Sequence, residues 1–301
     1  MPPHREGFVA GIYLGAIKAA LVTADLEGRR LRAERIPAQA GDGADATVER
    51  VMAAARDLIA QVAAHTATEM AAAAAVSAGV AQPGRILRAS DNPGRRLGEL
   101  VRELGTQRVA VSNEVQAAAL AEARWGTLAG DGPGIFVYLG AGLSVALVVD
   151  GRVVAGAHGA AGEIGHSGPG LTSGPSLAPG LPSADEANSG TALAQRTSKL
   201  AGEPLDALAA HVASLALTVD PATIAVGGGL THAAGIILPR LRATLERAVP
   251  FPPKVRLAHF TQDAPLVGAV ALALDRAQPS GRPTCAARAD REAAAGEQRK
   301  A

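Results

Sequence analysis

Cysteine is almost absent from this chain of 301 residues: the single copy, Cys285, excludes an internal disulfide and a zinc cage built from several cysteines. Aromatic residues make up only 2% of the sequence, so small aliphatic side chains must fill the core. The formal net charge is +1 and no long basic run occurs, which argues against a nucleic-acid surface. No uninterrupted run of about 18 apolar residues is present, and Met1–Gly7 lacks the apolar centre of a signal peptide. We therefore expect a cytoplasmic protein with no membrane or nucleic-acid partner.

Apolar residues nevertheless make up 48% of the chain, enough for two domains with their own cores. Strand patterns occur at Phe8–Leu14 and Ala19–Ala24, and the turn residues Asp25–Gly28 lead into a third strand at Leu31–Pro37. The apolar spacing over 45–65 then predicts a helix. The first half of the chain therefore begins with a strand meander followed by a helix.

Residues 72–80, still in the first half, fit either a buried strand or a helix, and the Gly and Pro residues that follow favour a strand running into a loop.

The second half of the chain also begins with a strand meander. Asp150-Gly151 is typical of a tight hairpin turn. Further strands are predicted at 109–112, 135–139, 143–149, 152–155, 223–226 and 255–258, and helices at 97–104, 114–126, 191–200, 204–218, 232–248 and 265–274. Because both halves open with a strand meander, we predict a duplicated α/β architecture.

The expected domains follow from this order. We predict an N-terminal α/β lobe over 1–112 and a C-terminal α/β lobe over 113–264. A closing helix over 265–276 is expected to pack back on the N-terminal lobe, and the polar segment 277–301 is expected to be a disordered tail.

Four motifs occur in an order and spacing that resemble those of the ROK (repressor, open reading frame, kinase) family, across about residues 8–276. The most specific ends in Gly-Glu-Ile-Gly-His and follows a hairpin and a glycine turn, as it does in the family. The motifs are Asn113-Glu114-Val115-Gln116-Ala117-Ala118, Gly159-Ala160-Ala161-Gly162-Glu163-Ile164-Gly165-His166, Ser189-Gly190-Thr191-Ala192-Leu193 and Val226-Gly227-Gly228-Gly229-Leu230.

The resemblance implies an α/β fold of the two-lobed actin-like ATPase (ribonuclease H-like) type, with an interlobe cleft where sugar and ATP meet. It implies transfer of the γ-phosphoryl group of ATP, with Mg²⁺, to a hydroxyl of a sugar or amino-sugar, as in glucokinases, and it suggests a homodimer. Some family members are repressors with an N-terminal helix-turn-helix. This chain starts directly at its first strand, so we expect that route to DNA binding to be absent.

The resemblance assigns the catalytic base to Glu114, where the family has the Asp of an Asn-Asp pair. Glutamate can also accept a proton, but its extra methylene moves the acceptor by roughly 1 Å, and misplacement on that scale can cost roughly 100-fold. The alternative is that Glu114 is only a first-turn acid that the helix dipole favours.

The same resemblance implies a set of sugar-binding groups, since carboxylate, amide and imidazole side chains bind pairs of hydroxyls. They are Asn92, Asn113, Glu163, His166 and Asp185. Asp91 is an alternative to Asn92, and Glu186 is an alternative to Asp185. Many family members also hold zinc through that His and three cysteines, but residues 167–188 contain no cysteine, so no metal site of this kind is expected.

Three glycine segments would contact the nucleotide. The first is Tyr13-Leu14-Gly15-Ala16-Ile17-Lys18, in which only Gly15 and Lys18 match the family pattern Asp-Ile-Gly-Gly-Thr-Lys. Tyr13 replaces the acid that helps to organise magnesium, and Ile17 replaces the Thr. The second keeps Gly140 and Gly142 around Ala141, and a strand follows it, which excludes a dinucleotide-binding turn. The third, Gly227, Gly228 and Gly229, lies between a strand and a helix and suits a phosphate.

Two functions remain open at this point. The chain is either a sugar kinase with weakened ATP and Mg²⁺ binding, or a catalytically weak or inactive sugar-binding sensor or regulator. We favour the kinase, because the glycine run Gly227–Gly229 is retained. The changes at Tyr13, Ile17, Glu114 and Ala141 support the second function, since each lost contact can cost roughly 10²-fold in rate. The sugar-binding groups fit both functions and do not decide between them.

Overall fold

The computed structural model describes residues 7–15, 18–37, 43–77, 80–82, 85–87, 101–130, 132–140, 143–164, 202–261 and 263–278. These residues divide into two compact units. The second unit comprises Glu122–Val154 and Ala161–Asp263, and the first comprises the rest. The first unit extends through Ala121, and the helix that follows its last strand packs Ala117 into the core of the first sheet.

The secondary structure is mixed throughout. The strands are β1 (Phe8–Leu14), β2 (Lys18–Asp25), β3 (Arg30–Pro37), β4 (Met70–Ser77), β5 (Val80–Gln82), β6 (Arg85–Leu87), β7 (Val109–Asn113), β8 (Gly134–Leu139), β9 (Leu143–Val149), β10 (Arg152–Val153), β11 (Thr223–Gly227) and β12 (Lys254–Leu257). The helices are α1 (Gly43–Thr66), α2 (Glu114–Trp125), α3 (Glu203–Val219), α4 (Ala234–Ala248) and α5 (Ala264–Ala277), with a short 3₁₀ helix at Thr231–Ala233.

The first sheet has the order β3-β2-β1-β4-β7 and is covered on both faces. Alternate residues of β1 face opposite sides: Val9 and Tyr13 lie with α5, whereas Ile12 lies with α1. The central strand β4 is a run of buried alanines, which lets both helices approach closely. In α5, a Cβ at Gly268 would overlap the backbone of Ala117, so α5 and α2 touch backbone to backbone.

The second sheet repeats the same order as β10-β9-β8-β11-β12, with β8 parallel to β11 and antiparallel to β9. Its core is filled by larger aliphatic residues. Ile135, Val137 and Leu139 of β8 pack against α3 and α4, where Leu208 and Leu241 are fully buried. The duplication predicted from the two strand meanders is therefore confirmed.

The duplication extends to sequence at one point, because Tyr-Leu-Gly-Ala occurs at 13–16 and again at 138–141. Tyr13 is next to last in β1 and pairs with Val76 of β4, and Tyr138 is next to last in β8 and pairs with Gly227 of β11. The first three residues of the two tetrapeptides therefore hold corresponding places at the carboxyl ends of β1 and β8.

Most predicted elements agree with the structure. The strands β1 and β9 match to the residue, and the predicted strand 72–80 overlaps β4 (Met70–Ser77), whereas Val80 begins β5. The hairpin of β5 and β6, expected as a loop, was missed because three-residue strands are too short to show a period. Asp150 and Gly151 both have positive φ, as a type I′ hairpin requires.

The closing helix, α5, packs on the first sheet, against β1 and β4. The predicted helix 191–200, most of 97–104 and the tail beyond Gln278 lie outside the described residues. No helix in the ranges given above has both the length and the apolar character needed to cross a membrane.

Candidate functional site

In the second unit, two of the predicted glycine segments lie side by side. Gly140 directly follows β8, and Gly227 ends β11, the parallel neighbour of β8, with Gly228 and Gly229 directly after it. Because parallel strands end at the same edge of a sheet, the carboxyl edge brings these glycines together. Gly142, the other glycine of the second segment, lies outside the described residues.

Packing explains why the first two positions of the Gly227–Gly229 run must be glycine. A Cβ at Gly227 would lie 2.7 Å from Cζ of Phe136. Gly228 has a φ of +94°, and a Cβ there would lie 2.5 Å from the carbonyl oxygen of Leu139. The same oxygen accepts a hydrogen bond of 3.0 Å from the backbone N–H of Leu230. The run is therefore pinned against the end of β8.

Gly229 is in a different position, since no atom in the described part of the chain lies within 4 Å of its would-be Cβ. The backbone there is open to a ligand, and the 3₁₀ helix that follows has no side-chain cap hydrogen bond. Backbone N–H groups at the start of a helical segment are suited to an anion such as phosphate. The open backbone at Gly229 is therefore a candidate anion site at the carboxyl edge of the second sheet.

In the first unit, Asn113 sits where β7 ends and α2 begins. Its side-chain Oδ1 accepts a hydrogen bond of 2.7 Å from the backbone N–H of Gln116, which makes Asn113 the N-cap of α2. The side chain of Gln116 in turn donates to the carbonyl of Gly159 at 3.3 Å. Asn113 is buried, and its side-chain oxygen serves the helix, so sugar recognition by Asn113 stays a prediction that involves its amide group.

Glu114 is the first residue of α2 and is half-buried. The hydroxyl of Tyr13, on β1, donates a hydrogen bond of 2.8 Å to Oε2 of Glu114. Two positions that depart from the family pattern are therefore in direct contact. The sequence contained no signal for this contact, because the two residues are 101 positions apart.

Of the remaining first-loop residues, Gly15 follows β1 directly and Lys18 opens β2. The side chain of Lys18 and residues 16 and 17 lie outside what the structure describes. The flanking strands β1 and β2 pair in antiparallel fashion, and contact of this segment with phosphate stays a prediction.

Glu163, in the second unit, is half-buried on a tight turn. The carbonyl of Gly162 accepts hydrogen bonds from the backbone N–H groups of Val145, at 2.9 Å, and Ile164, at 2.8 Å. Gly162 has a φ of +91°, and a Cβ there would overlap the carbonyl of Val145. The glycine of the motif thus fixes the backbone that carries Glu163, while Asn92, His166 and Asp185 lie outside the described residues.

The described residues provide few groups that could bind a metal ion. Over the described ranges, no group of three or more His, Cys, Asp or Glu residues could hold a metal ion. Position 13, where the family has an acid, carries a phenol whose proton is donated to Glu114. Mg²⁺ prefers carboxylate and phosphate oxygens, so the chain offers it little at this position.

A cavity of about 380 Å³ lies elsewhere in the second unit. It is lined by Arg242, Lys254 and Arg256, among others, at the start of β12. The glycines lie at the opposite, carboxyl edge of the same sheet, so this cavity is separate from the candidate nucleotide site.

Comparison with known proteins places the chain in a family. The family model described as "ROK family" matches residues 9–276. The bifunctional enzyme NanE/NanK of Brucella melitensis is 34% identical over 200 residues, which are 60% of this chain and 37% of that protein. The N-acetylgalactosamine kinase AgaK of Shewanella sp. is 28% identical over 215 residues, or 59% of this chain and 69% of that protein.

Solved structures of similar proteins show the fold of this chain. The ROK family glucokinase of Streptomyces griseus, in complex with glucose and AMPPNP, matches with a TM-score of 0.63 and 24% identity, over 89% of this chain and 99% of that one. The match to NanE/NanK covers little more than a third of that protein's length. With a family match over nearly the whole chain and the strand order that both units share, the protein belongs to the ROK family and has its actin-like ATPase fold.

Proposed function

We propose that this protein is a sugar kinase that transfers the γ-phosphoryl group of ATP to a hydroxyl of a sugar or amino-sugar. The observation that carries the proposal is the half-buried carboxylate of Glu114, which is held by a hydrogen bond at the start of α2. The relatives of the protein support a sugar or amino-sugar as the substrate, since AgaK is named an N-acetylgalactosamine kinase and the Streptomyces griseus enzyme is a glucokinase.

In the proposed reaction, Glu114 acts as the general base. The sugar hydroxyl oxygen forms a bond to the γ-phosphorus of ATP, and the bond from that phosphorus to the oxygen of ADP breaks. The hydroxyl proton passes to the Glu114 carboxylate. Little covalent chemistry is left for the protein, so its contribution is positioning and electrostatic stabilisation.

The nucleotide would lie against the open backbone of Gly229 and beside Gly140 and Gly228. Glycine backbone at a strand-to-helix turn can approach phosphate closely and donate N–H groups to it. Mg²⁺ would depend mainly on the phosphate oxygens of ATP, because Tyr13 supplies no carboxylate. We therefore expect weak binding of magnesium and of the nucleotide.

The homodimer and the cytoplasmic location remain predictions.

The experiment that tests the proposal measures ADP release with a panel of hexoses and amino-hexoses, for the parent and Glu114→Gln. Gln keeps the shape of Glu and removes its basicity, so turnover is expected to fall by roughly 10²- to 10⁴-fold. Sugar affinity should change little, since an amide still hydrogen-bonds a hydroxyl. Turnover of Glu114→Gln within twofold of the parent would refute the general-base assignment.

A second candidate function is a sugar-binding sensor without useful turnover. The contact of Tyr13 with Glu114 favours it, because one oxygen of the expected base is already engaged by a protein donor. The sensor predicts sugar binding by calorimetry together with no ADP release from any sugar in the panel. Turnover with one sugar would exclude it.

A further inference from the structure

We infer that Tyr13 is a positioning residue for Glu114: its hydroxyl holds one carboxylate oxygen and thereby sets where the proton acceptor lies. The inference rests on the proposed kinase function and adds to it a residue that departs from the family pattern. Its geometric basis is the 2.8 Å hydrogen bond from the Tyr13 hydroxyl to Oε2 of Glu114.

The donor sits on a rigid support. Tyr13 lies in β1, in the middle of the first sheet, and pairs with Ala20 of β2 on one side and Val76 of β4 on the other. Its side chain is buried against the α5 face of that sheet. A tyrosine ring has two side-chain dihedrals, and burial restricts both, so the hydroxyl has a nearly fixed position.

The acceptor needs such a support more than an aspartate would. The backbone of Glu114 is held by the Asn113 cap and, two residues on, by the hydrogen bond from Gln116 to Gly159. The side chain has one more rotatable bond than Asp, so the carboxylate could otherwise sample several positions. A carboxylate has about four acceptor sites, so engagement of Oε2 by Tyr13 leaves capacity for a substrate hydroxyl.

The two departures therefore fit each other. With Asp at position 114, the carboxylate would retreat by roughly the 1 Å scale on which positioning matters, and the phenol would no longer reach it. With Asp at position 13, the shorter side chain would not reach Oε2 of Glu114 and, when ionised, would offer it no hydrogen-bond donor. Tyr and Glu together provide a neutral donor and one charged acceptor.

The activity test is a double-mutant cycle on the full chain, with the turnover number and the sugar KM measured separately. Tyr13→Phe keeps the ring and removes the hydroxyl, so turnover is expected to fall roughly 10- to 100-fold, as for a base misplaced by about 1 Å. The sugar KM should stay within twofold. In the Glu114→Gln background, Tyr13→Phe should have no further effect, because there is no base left to position.

The matched control is Tyr138→Phe, the same change in the same tetrapeptide of the other unit. Its turnover should stay within twofold of the parent. Turnover of Tyr13→Phe within twofold of the parent, or an equal loss from Tyr13→Phe in both backgrounds, would overturn the inference. A thermal melt of each variant shows whether it is folded.

A second measurement does not depend on turnover. The chain contains two tyrosines, so the protein labelled with ¹³C at tyrosine Cζ gives one resonance from each, and Tyr138→Phe assigns them. Glu114→Ala should shift the Tyr13 resonance and leave the Tyr138 resonance in place. An unchanged Tyr13 resonance would overturn the inference. A parent without ADP release would refute the kinase proposal, whereas this spectrum decides separately whether the hydroxyl and the carboxylate are paired.

Discussion

The two units share a strand order and a tetrapeptide, yet the carbonyl group at the end of the first strand receives its hydrogen bond from a different kind of donor in each unit. In the first, the carbonyl of Leu14, at the end of β1, accepts a hydrogen bond of 2.9 Å from the buried hydroxyl of Ser77. In the second, the carbonyl of Leu139, at the end of β8, accepts one of 3.0 Å from the backbone N–H of Leu230. Among the described residues, a side-chain hydroxyl donates to this carbonyl in the first unit, whereas a backbone N–H group does so in the second.

This difference matches the separate tasks that we propose for the two units. The glycines of the second unit keep a backbone surface that suits an anion, whereas the first unit places a buried phenol and a carboxylate at its edge. The cores differ as well, since the first sheet is packed with alanine and the second with leucine, isoleucine and valine. A shared topology therefore does not require shared packing or shared chemistry.

The largest effect is expected from Leu241→Ala in α4. Leu241 is fully buried in the core of the second unit, and truncation of a buried Leu costs about 2–5 kcal/mol because a cavity remains. Urea unfolding followed by two probes should show this loss in the transition of the second unit. If both probes instead reported the same loss of stability in a single transition, the two units would unfold as one, and their stabilities could not be compared separately.

Gly228→Ala sharpens the comparison of the two edges. The positive φ alone is expected to cost about 1–3 kcal/mol, and the overlap with the Leu139 carbonyl adds to this. The control is Gly229→Ala, which meets no atom among the described residues and should unfold at nearly the same urea concentration as the parent. If the two variants were equally stable, the packing explanation of the glycine run would be wrong.

Gly229→Ala has a second use, because the added methyl group points to the side where the nucleotide is proposed to lie. Calorimetry with a non-hydrolysable ATP analogue should then show weaker binding without a change in stability. Unchanged affinity would place the nucleotide away from Gly229.

Ser77→Ala tests the closure of the first edge. It leaves the Leu14 carbonyl without this donor, and an unsatisfied buried group costs about 1–3 kcal/mol. The matched control is Thr23→Val in β2, since the buried Thr23 hydroxyl has no hydrogen-bond partner among the described residues. We expect Thr23→Val to be neutral or stabilising in urea unfolding, and a Ser77→Ala protein as stable as the parent would contradict the assignment.

The smallest effect is expected at the β2–β3 turn. Burial of Asp25 raises its pKa, but hydrogen bonds from the side chain and backbone of Arg29 together outweigh burial and hold the pKa below its usual value. A lowered folded pKa means that this carboxylate stabilises the fold above the unfolded pKa and loses that effect as the pH falls through the folded value. Asp25→Asn should therefore lower stability slightly at neutral pH, with the difference vanishing in strong acid.

Sequence patterns predicted the strands with strong apolar alternation or long apolar runs, such as β1 and β9, because both faces are buried. They also contained the cap of α2, since an Asn followed three residues later by Gln resembles a capping box. The Tyr13–Glu114 contact could not be predicted, because it depends on how far apart β1 and α2 lie in space. The second of three glycines, Gly228, likewise carries its positive φ for reasons that only the neighbouring strand reveals.

The alanine run of β4 has a consequence for how the chain finds its alignment. A strand whose successive side chains are alike can slide by a residue without exposing anything larger, so its hydrophobic pattern specifies the pairing weakly. Other features must distinguish one alignment from the next. The hydroxyl of Ser77 meets the Leu14 carbonyl in one of them, and Gly11 leaves room for Val22 and Ala269 beside the strand. We therefore expect the Ser77 hydrogen bond to favour the observed pairing of β4 with β1 over a pairing shifted by one residue.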